Sequence, residues 1–153
     1  LAQEAVRVWA APVLPDEILD TYRNVAVKPE AYNLEDHPQL ANGTPMRALF
    51  EQLRKEVLAL DTSVTEEVLK LYIAFKAETN FVDVVPQKTR LRLSLNMPFH
   101  ELSDPKGMAR DVTNLGRWGN GDVEVGFSEE SELAYVMGLI RQAFEKQMGN
   151  DAD

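Results

Sequence analysis

Arg90-Leu91-Arg92-Leu93-Ser94-Leu95-Asn96-Met97 is the stretch that decides the fold. Its leucines recur at every second position, and the residues between them are charged or polar. A period of two is that of a β-strand, whose successive side chains point to opposite faces of a sheet. The stretch therefore predicts a strand that turns its leucines to the core and its arginines to a polar face.

The sequence on either side of this strand adds more sheet and a helix at each end. Helical spacing of apolar residues predicts helices over 45–60 and 129–147, whereas 62–70 is ambiguous and allows one more helical turn. The predicted fold class is α+β: a two-layer domain with an antiparallel sheet of about four to five strands, covered on one face by an N-terminal and a C-terminal helix. The predicted strands are 71–77, 81–85, 90–97 and 122–127, with a short strand at 111–113.

Prolines and an Asn-Gly pair, which break regular secondary structure, separate the domain from the N-terminal segment. Residues 1–43 are predicted to be an extension, either a linker or an arm laid over the domain. Residues 44–149 are the predicted α+β domain, and 150–153 a disordered tail. The chain begins with Leu1 rather than methionine, so we expect it to be a piece of a longer protein.

Composition excludes several classes of function. The chain has no cysteine, which removes disulfides, zinc–thiolate sites and thiol catalysis and is typical of a reducing compartment. No apolar run approaches the roughly 20 residues that span a bilayer. These observations predict a soluble, cytoplasmic protein that does not partner a membrane.

Charge is unevenly distributed along the chain. The formal net charge is −9, but residues 86–118 hold six basic against three acidic residues, a local charge of +3 that leaves −12 elsewhere. A basic face on an acidic body is one interpretation. The other is that these arginines pair with the acids beside them in the sequence.

Candidate catalytic motifs are incomplete. His37 follows an acid, as in metal-dependent nucleases of the His-Asn-His kind, but a punctuated loop and a core helix follow it, so we expect a surface-loop histidine. Lys76, Glu78 and Asp83 stand in the order lysine-x-acid, the reverse of the acid-x-lysine of sheet-based metal nucleases. We therefore predict no catalytic residue, no metal ligand and no cofactor.

The glycine-rich segment 116–121 contains a G-x-x-G string, yet a strand rather than a helix is predicted after it, which favours a turn. Within this segment an arginine and a tryptophan could stack on a base or a partner, or the tryptophan could cover the sheet edge. The predicted nucleic-acid or ligand contacts are Lys76, Asn80, Lys88, Arg90, Arg92, Arg117 and Trp118.

The strings at 71–88, 90–96 and 110–125 resemble a prokaryotic domain once catalogued as a "predicted transport protein", and the resemblance covers about residues 32–147. That domain resembles the C-terminal part of GmrSD-type restriction nucleases, which combine a ParB-like domain with a His-Asn-His domain. Residues 5–12 look like the tail of such an upstream nuclease domain.

The resemblance implies a non-catalytic accessory domain of a restriction or defence-type protein. Its expected partners are DNA and the upstream nuclease domain of the same chain, and a homo-oligomer is also open. Two alternatives remain. One is an oligomerisation or regulatory module that does not bind DNA. The other is a small-ligand binder or cryptic enzyme that uses Lys76, Asn80, Asp83 and Arg92.

Overall fold

The computed structural model describes residues 32–115 and 121–149, and the segment Asn33–Asp153 forms one compact unit. Residues 1–31 of the predicted extension, the tail, and the contact residues Arg117 and Trp118 lie outside the described residues. The helices are α1 (Pro45–Leu58) and α2 (Leu133–Gly149), and the strands are β1 (Thr65–Val68), β2 (Ile73–Lys76), β3 (Asn80–Pro86), β4 (Leu91–Leu95), β5 (Ala109–Asp111) and β6 (Val123–Phe127). The predicted α+β class is confirmed.

The six strands form one sheet in the order β1-β2-β3-β4-β6-β5, and every neighbouring pair is antiparallel. The last strand, β6, enters between β4 and β5, so the first four strands follow the chain and the last two are exchanged. In the part of the chain that is described, no helix is both long and apolar enough to cross a bilayer.

The sheet has six strands because the ambiguous segment 62–70 contributes β1 rather than a helical turn. Its two adjacent glutamates are poor strand formers, so the local sequence does not indicate a strand. Ion pairs with other elements hold this strand in place. The Nε of Arg54 in α1 lies 2.9 Å from Oε2 of Glu66, and the Nζ of Lys76 in β2 lies 2.6 Å from Oε1 of Glu67. The short strand expected at 111–113 lies two residues earlier, in β5.

The hydrophobic core lies between one face of the sheet and the two helices. Leu91, Leu93 and Leu95 of β4 are fully buried, as their alternation predicts. Phe50 of α1 packs on Phe75 of β2 with ring centroids 6.4 Å apart. We call the sheet face that carries these apolar residues the inner face, and the opposite one the outer face.

A bulge in β3 adds one more aromatic ring to the core. Phe75 pairs with Val82, and the next residue of β2 pairs with Asn80, so Phe81 has no opposite residue. An extra residue of this kind turns its side chain out of the regular alternation. Phe81 is fully buried, and its ring meets that of Phe144 in α2 edge-on at 5.2 Å.

The segment before α1 packs on the same compact unit. It forms two short 3-10 turns, and Leu40 in the second is fully buried. The expectation of a surface-loop histidine is wrong: His37 is 4% exposed, and its Nε2 lies 2.8 Å from the carbonyl oxygen of Leu69. A polar ring needs such a partner when it is buried. Thr44 then caps α1 by accepting from the amide of Arg47.

We predict that Phe81→Ala destabilises the protein by about 3–5 kcal/mol, because it removes a fully buried ring and leaves a cavity against α2. Leu71→Ala is the control: Leu71 is 54% exposed, so its loss should stay within about 0.5 kcal/mol. Denaturant unfolding followed by circular dichroism measures both. Equal midpoints for the two variants would show that the bulge does not contribute to the core.

Candidate functional site

Polar side chains occupy the outer face of the sheet in register. Because paired strands lie about 4.8 Å apart, residues opposite one another form a row across the face. The central row runs from β1 to β5 through Glu67, Ala74, Asp83, Ser94, Glu124 and Arg110. The row places acids in β1, β3 and β6 and an arginine in the edge strand β5.

The half of the outer face formed by β1–β3 is mainly acidic. Asp83 is almost fully buried and accepts a hydrogen bond from the side-chain Nδ2 of Asn80 at 2.9 Å. Burial raises the pKa of Tyr72, and the negative charges of Asp83 and Glu67 raise it further. The cation on this half, Lys76, is engaged with Glu67 at 2.6 Å.

The half formed by β4, β6 and β5 is basic, because three arginines converge on Glu124. The Nη2 of Arg90 and the Nη1 of Arg110 lie 3.4 and 3.8 Å from its Oε2. The Nη1 of Arg92 lies 3.7 Å from its Oε1. Side-chain exposure is 62% for Arg110, 41% for Arg90 and 15% for Arg92, against 7% for Glu124. We call these four residues the arginine cluster.

Two neighbours hold the guanidinium of Arg90 in place. Its Nε donates to the side-chain oxygen of Gln87 at 2.8 Å. Beneath it lies Gly126 of β6, where an added Cβ would come 2.9 Å from Nη1 of Arg90. The absence of a side chain at Gly126 therefore lets the guanidinium lie across the sheet towards Glu124.

The acids near these arginines in the sequence have other partners. Glu101 pairs with Lys146 of α2 at 2.8 Å, and Asp111 accepts from the amide of Thr113 at 3.0 Å. Asp104 accepts from the hydroxyl of Tyr135. In the described part of the chain, the arginines therefore meet the distant Glu124 rather than these neighbouring acids.

Asp104 ties the edge of the basic half to α2. Its carboxylate accepts from the amides of Met108 at 3.2 Å and Ala109 at 2.7 Å, and from Tyr135. Burial alone would raise the pKa of Asp104, but these hydrogen bonds hold it below its usual value. Since Ala109 begins β5, this carboxylate fixes the backbone that carries Arg110.

The predicted contact residues occupy different places. Arg90 and Arg92 share the arginine cluster, whereas Lys76 lies on β2, and β3 and β4 separate it from β6. Asn80 is engaged with Asp83. Lys88 is exposed in the turn between β3 and β4, where it lines a groove of about 380 Å³ with Pro38, Gln39, Thr44, Pro45 and Met46.

Arg110 of the arginine cluster and Gly126 beneath Arg90 are both absent from the contacts predicted from sequence. Arg110 faces Glu124 only because β5 pairs with β6, and the length of β5 gives little signal of that pairing. Gly126 interrupts an alternating strand, and a glycine inside a strand often marks a close approach by another group. Here that group is the side chain of Arg90.

Groups for other kinds of chemistry are sparse in the described residues. Within 32–115 and 121–149, no three acidic or histidine side chains lie close enough together to hold a metal ion. A polar pocket of about 250 Å³ lies beside α2. It is lined by Asn96, Met97, Pro98, Gly121, Asp122, Lys146 and Gln147.

Comparison with known proteins assigns the sequence to a family. The family model described as "Domain of unknown function (DUF5655)" matches residues 37–147. A protein of Haemophilus influenzae named "Uncharacterized protein" is 39% identical over 117 residues, which are 76% of this chain and 38% of that protein. The chain therefore spans less than half the length of this relative. No solved structure matches the chain.

We predict that Asp104→Ala destabilises the domain by about 1–3 kcal/mol at neutral pH, because it leaves hydrogen-bond donors of β5 and α2 unsatisfied. Since folding lowers the pKa of Asp104, its contribution is present above the unfolded pKa of about 3.9 and is lost as pH falls through the folded value. The difference between wild type and variant should therefore shrink in acid.

Denaturant unfolding at several pH values provides the measurement. Glu56→Ala is the control, since Glu56 is exposed on α1 and forms no ion pair within the described residues. A cost for Asp104→Ala that stays constant from neutral pH to about pH 2, well below the ordinary carboxyl pKa, would contradict this role of the carboxylate.

Proposed function

Since the chain belongs to the DUF5655 family, we propose that it is a non-catalytic accessory domain of a larger prokaryotic restriction or defence-type protein, and that it contacts DNA through the basic half of its outer face. The upstream nuclease domain of the same chain is the second proposed partner. The protein acts in the cytoplasm under this proposal. The domain holds or positions DNA, and bond cleavage belongs to the other domains of the larger protein.

Two arguments support the accessory role. We propose that the sequence is similar to the C-terminal part of GmrSD-type nucleases, in which other domains carry the catalytic groups. The matched region is also only 38% of the Haemophilus influenzae relative, as expected of one part in a larger protein. An accessory domain needs a surface for its substrate or neighbour but no catalytic centre of its own.

The observation that carries DNA contact is the convergence of Arg90, Arg92 and Arg110 on the single carboxylate of Glu124. Three positive charges face one negative charge, so these four residues keep an excess of +2. Arginine forks match the oxygens of phosphate groups, which supply most of the affinity in sequence-independent DNA binding. The two more exposed arginines, Arg90 and Arg110, offer this charge to solvent.

The rest of the protein limits this binding. The chain carries a net charge of −9 despite the cluster, so its remaining surface repels DNA. Few phosphates should therefore be contacted, and binding should be weak, localised and sensitive to salt. Such weak binding suits a domain that adds to the affinity of a larger protein instead of finding DNA alone.

Two alternatives make different predictions. An oligomerisation or regulatory module would assemble with increasing protein concentration and leave DNA unbound. A small-ligand binder would use Lys76, Asn80, Asp83 and Arg92. In the structure, Lys76 is engaged with Glu67 and Asn80 with Asp83, so a ligand there would have to compete with these contacts.

We predict that the chain binds single- or double-stranded DNA at low salt and that Arg110→Ala weakens binding, because Arg110 is the most exposed member of the cluster. Fluorescence anisotropy titrations at several salt concentrations give the slope of log affinity against log salt. Loss of one phosphate contact should make this slope shallower by about 1.

Arg141→Ala is the matched control, since it removes the same charge from an exposed position of α2, outside the sheet. Arg92→Ala and Trp118→Ala test two further residues of the contact surface predicted from sequence. Equal effects of Arg110→Ala and Arg141→Ala would mean that net charge, rather than the cluster, attracts DNA. If the wild-type chain leaves both DNA forms unbound at low salt, and sedimentation shows assembly, the oligomerisation module replaces this proposal.

We predict that the chain does not cleave DNA with magnesium, manganese or zinc, because its acids and lysines stand in the wrong order for a metal nuclease. Incubation with plasmid and linear DNA, followed by electrophoresis, measures cleavage. Cleavage that depends on metal and disappears in Asp83→Asn or Glu124→Gln would establish a cryptic enzyme instead.

A further inference from the structure

We propose that Arg90 and Arg110 form a clamp for one phosphate group, and that Gly126 is the positioning residue that keeps the clamp in shape. This inference deepens the proposed function and rests on it for the source of the phosphate, which is the DNA backbone. The ligand chemistry is a phosphate oxyanion held by two guanidinium groups, without contact to bases.

The two guanidinium groups are close enough to share a ligand. Nη2 of Arg90 and Nη1 of Arg110 both lie within 4 Å of the same oxygen, Oε2 of Glu124. They reach this oxygen from the two sides of β6, since Arg90 immediately precedes β4 and Arg110 lies in β5. A phosphate placed above Glu124 can therefore accept from one arginine on each side.

Both groups keep donors for such a ligand. Arg90 uses Nε for Gln87 and Nη2 for Glu124, and within the described residues its Nη1 has no hydrogen-bond partner. The guanidinium of Arg110 contacts Glu124 at 3.8 Å and makes no hydrogen bond within residues 32–115 and 121–149. Charge-assisted N–H···O⁻ bonds are usually about 2.7–2.9 Å long, so Glu124 satisfies neither guanidinium fully.

Glu124 makes the clamp selective for an anion that can accept several hydrogen bonds at once. Its carboxylate is 7% exposed and lies beneath both arginines, so it holds them together against their mutual repulsion. It also repels any anion that approaches closely. A phosphate overcomes this repulsion because it can accept from both forks at once, whereas chloride offers a single charge without the directed oxygens.

Gly126 makes the arrangement possible. A Cβ at this position would lie 2.9 Å from Nη1 and 3.4 Å from Cδ of Arg90, closer than side chains ordinarily approach. The flexible end of Arg90 would move away, while the backbone of β6 would stay in place. Gly126→Ala therefore displaces one arm of the clamp without changing the charge of the protein.

The test compares Gly126→Ala, Arg90→Ala and the double variant in the full 153-residue chain by the same DNA titration. The control is Gly138→Ala, because a Cβ at Gly138 on the exposed side of α2 meets nothing within 4 Å. We expect about tenfold weaker DNA binding for each of the two single variants, as loss of charge-assisted hydrogen bonds predicts. The double variant should be no weaker than Arg90→Ala alone.

A second readout does not depend on DNA. Inorganic phosphate is added at constant ionic strength, with chloride as the reference, and the Nε resonances of the arginines are followed by NMR. We expect phosphate to shift Arg90 and Arg110 in wild type and in Gly138→Ala, and to shift Arg90 much less in Gly126→Ala. Thermal unfolding is measured for all variants. The midpoint of Gly126→Ala should lie within a few degrees of the wild-type midpoint, which would exclude misfolding as the cause of its weaker binding.

The outcomes separate the two proposals. DNA binding that is unchanged in both Gly126→Ala and Arg90→Ala overturns the clamp and leaves DNA contact through other residues standing. Additive effects in the double variant overturn the positioning role of Gly126. Phosphate shifts without DNA binding overturn the proposed function and assign the clamp to small phosphate-bearing ligands. A wild-type chain that responds to neither DNA nor phosphate overturns both proposals.

Discussion

The register of β4 between β3 and β6 determines both faces of the domain. Leu91, Leu93 and Leu95 are fully buried beneath the helices, and this burial forces Arg92 to the opposite side. A slip of one residue would expose three leucines and bury arginine, and the lost hydrophobic free energy would be on the order of several kcal/mol. The position of Arg92 on the outer face therefore follows from core packing.

Sequence predicts this arrangement where its cause is local. The alternation in β4 and the helical stripes of α1 and α2 depend on the spacing of residues within one element, so they were readable. Strand β1 cannot be predicted from its own sequence, because its glutamates oppose strand formation and are held by Arg54 and Lys76 of other elements. The burial of His37 is hidden from the sequence for the same reason: its partner, the carbonyl of Leu69, is 32 residues away.

The candidate site shows the same division. Arg90 and Arg92 could be placed on one face because they are two residues apart on a predicted strand. Their common partner Glu124 could not be identified from sequence, since it lies 34 positions from Arg90 and only the pairing of β4 with β6 brings the two together. The neighbouring acids were plausible partners by distance in sequence, but Tyr135, Thr113 and Lys146 engage them instead.

The exchanged order of the last two strands bears on how the protein is made. β6 supplies both Glu124 and Gly126, and it enters between β4 and β5 after they have left the ribosome. A nascent chain that ends before β6 has its arginines but lacks the partner that gathers them. It also lacks the strand that joins β5 to the sheet. The cluster thus arises only in a molecule whose synthesis has passed β6.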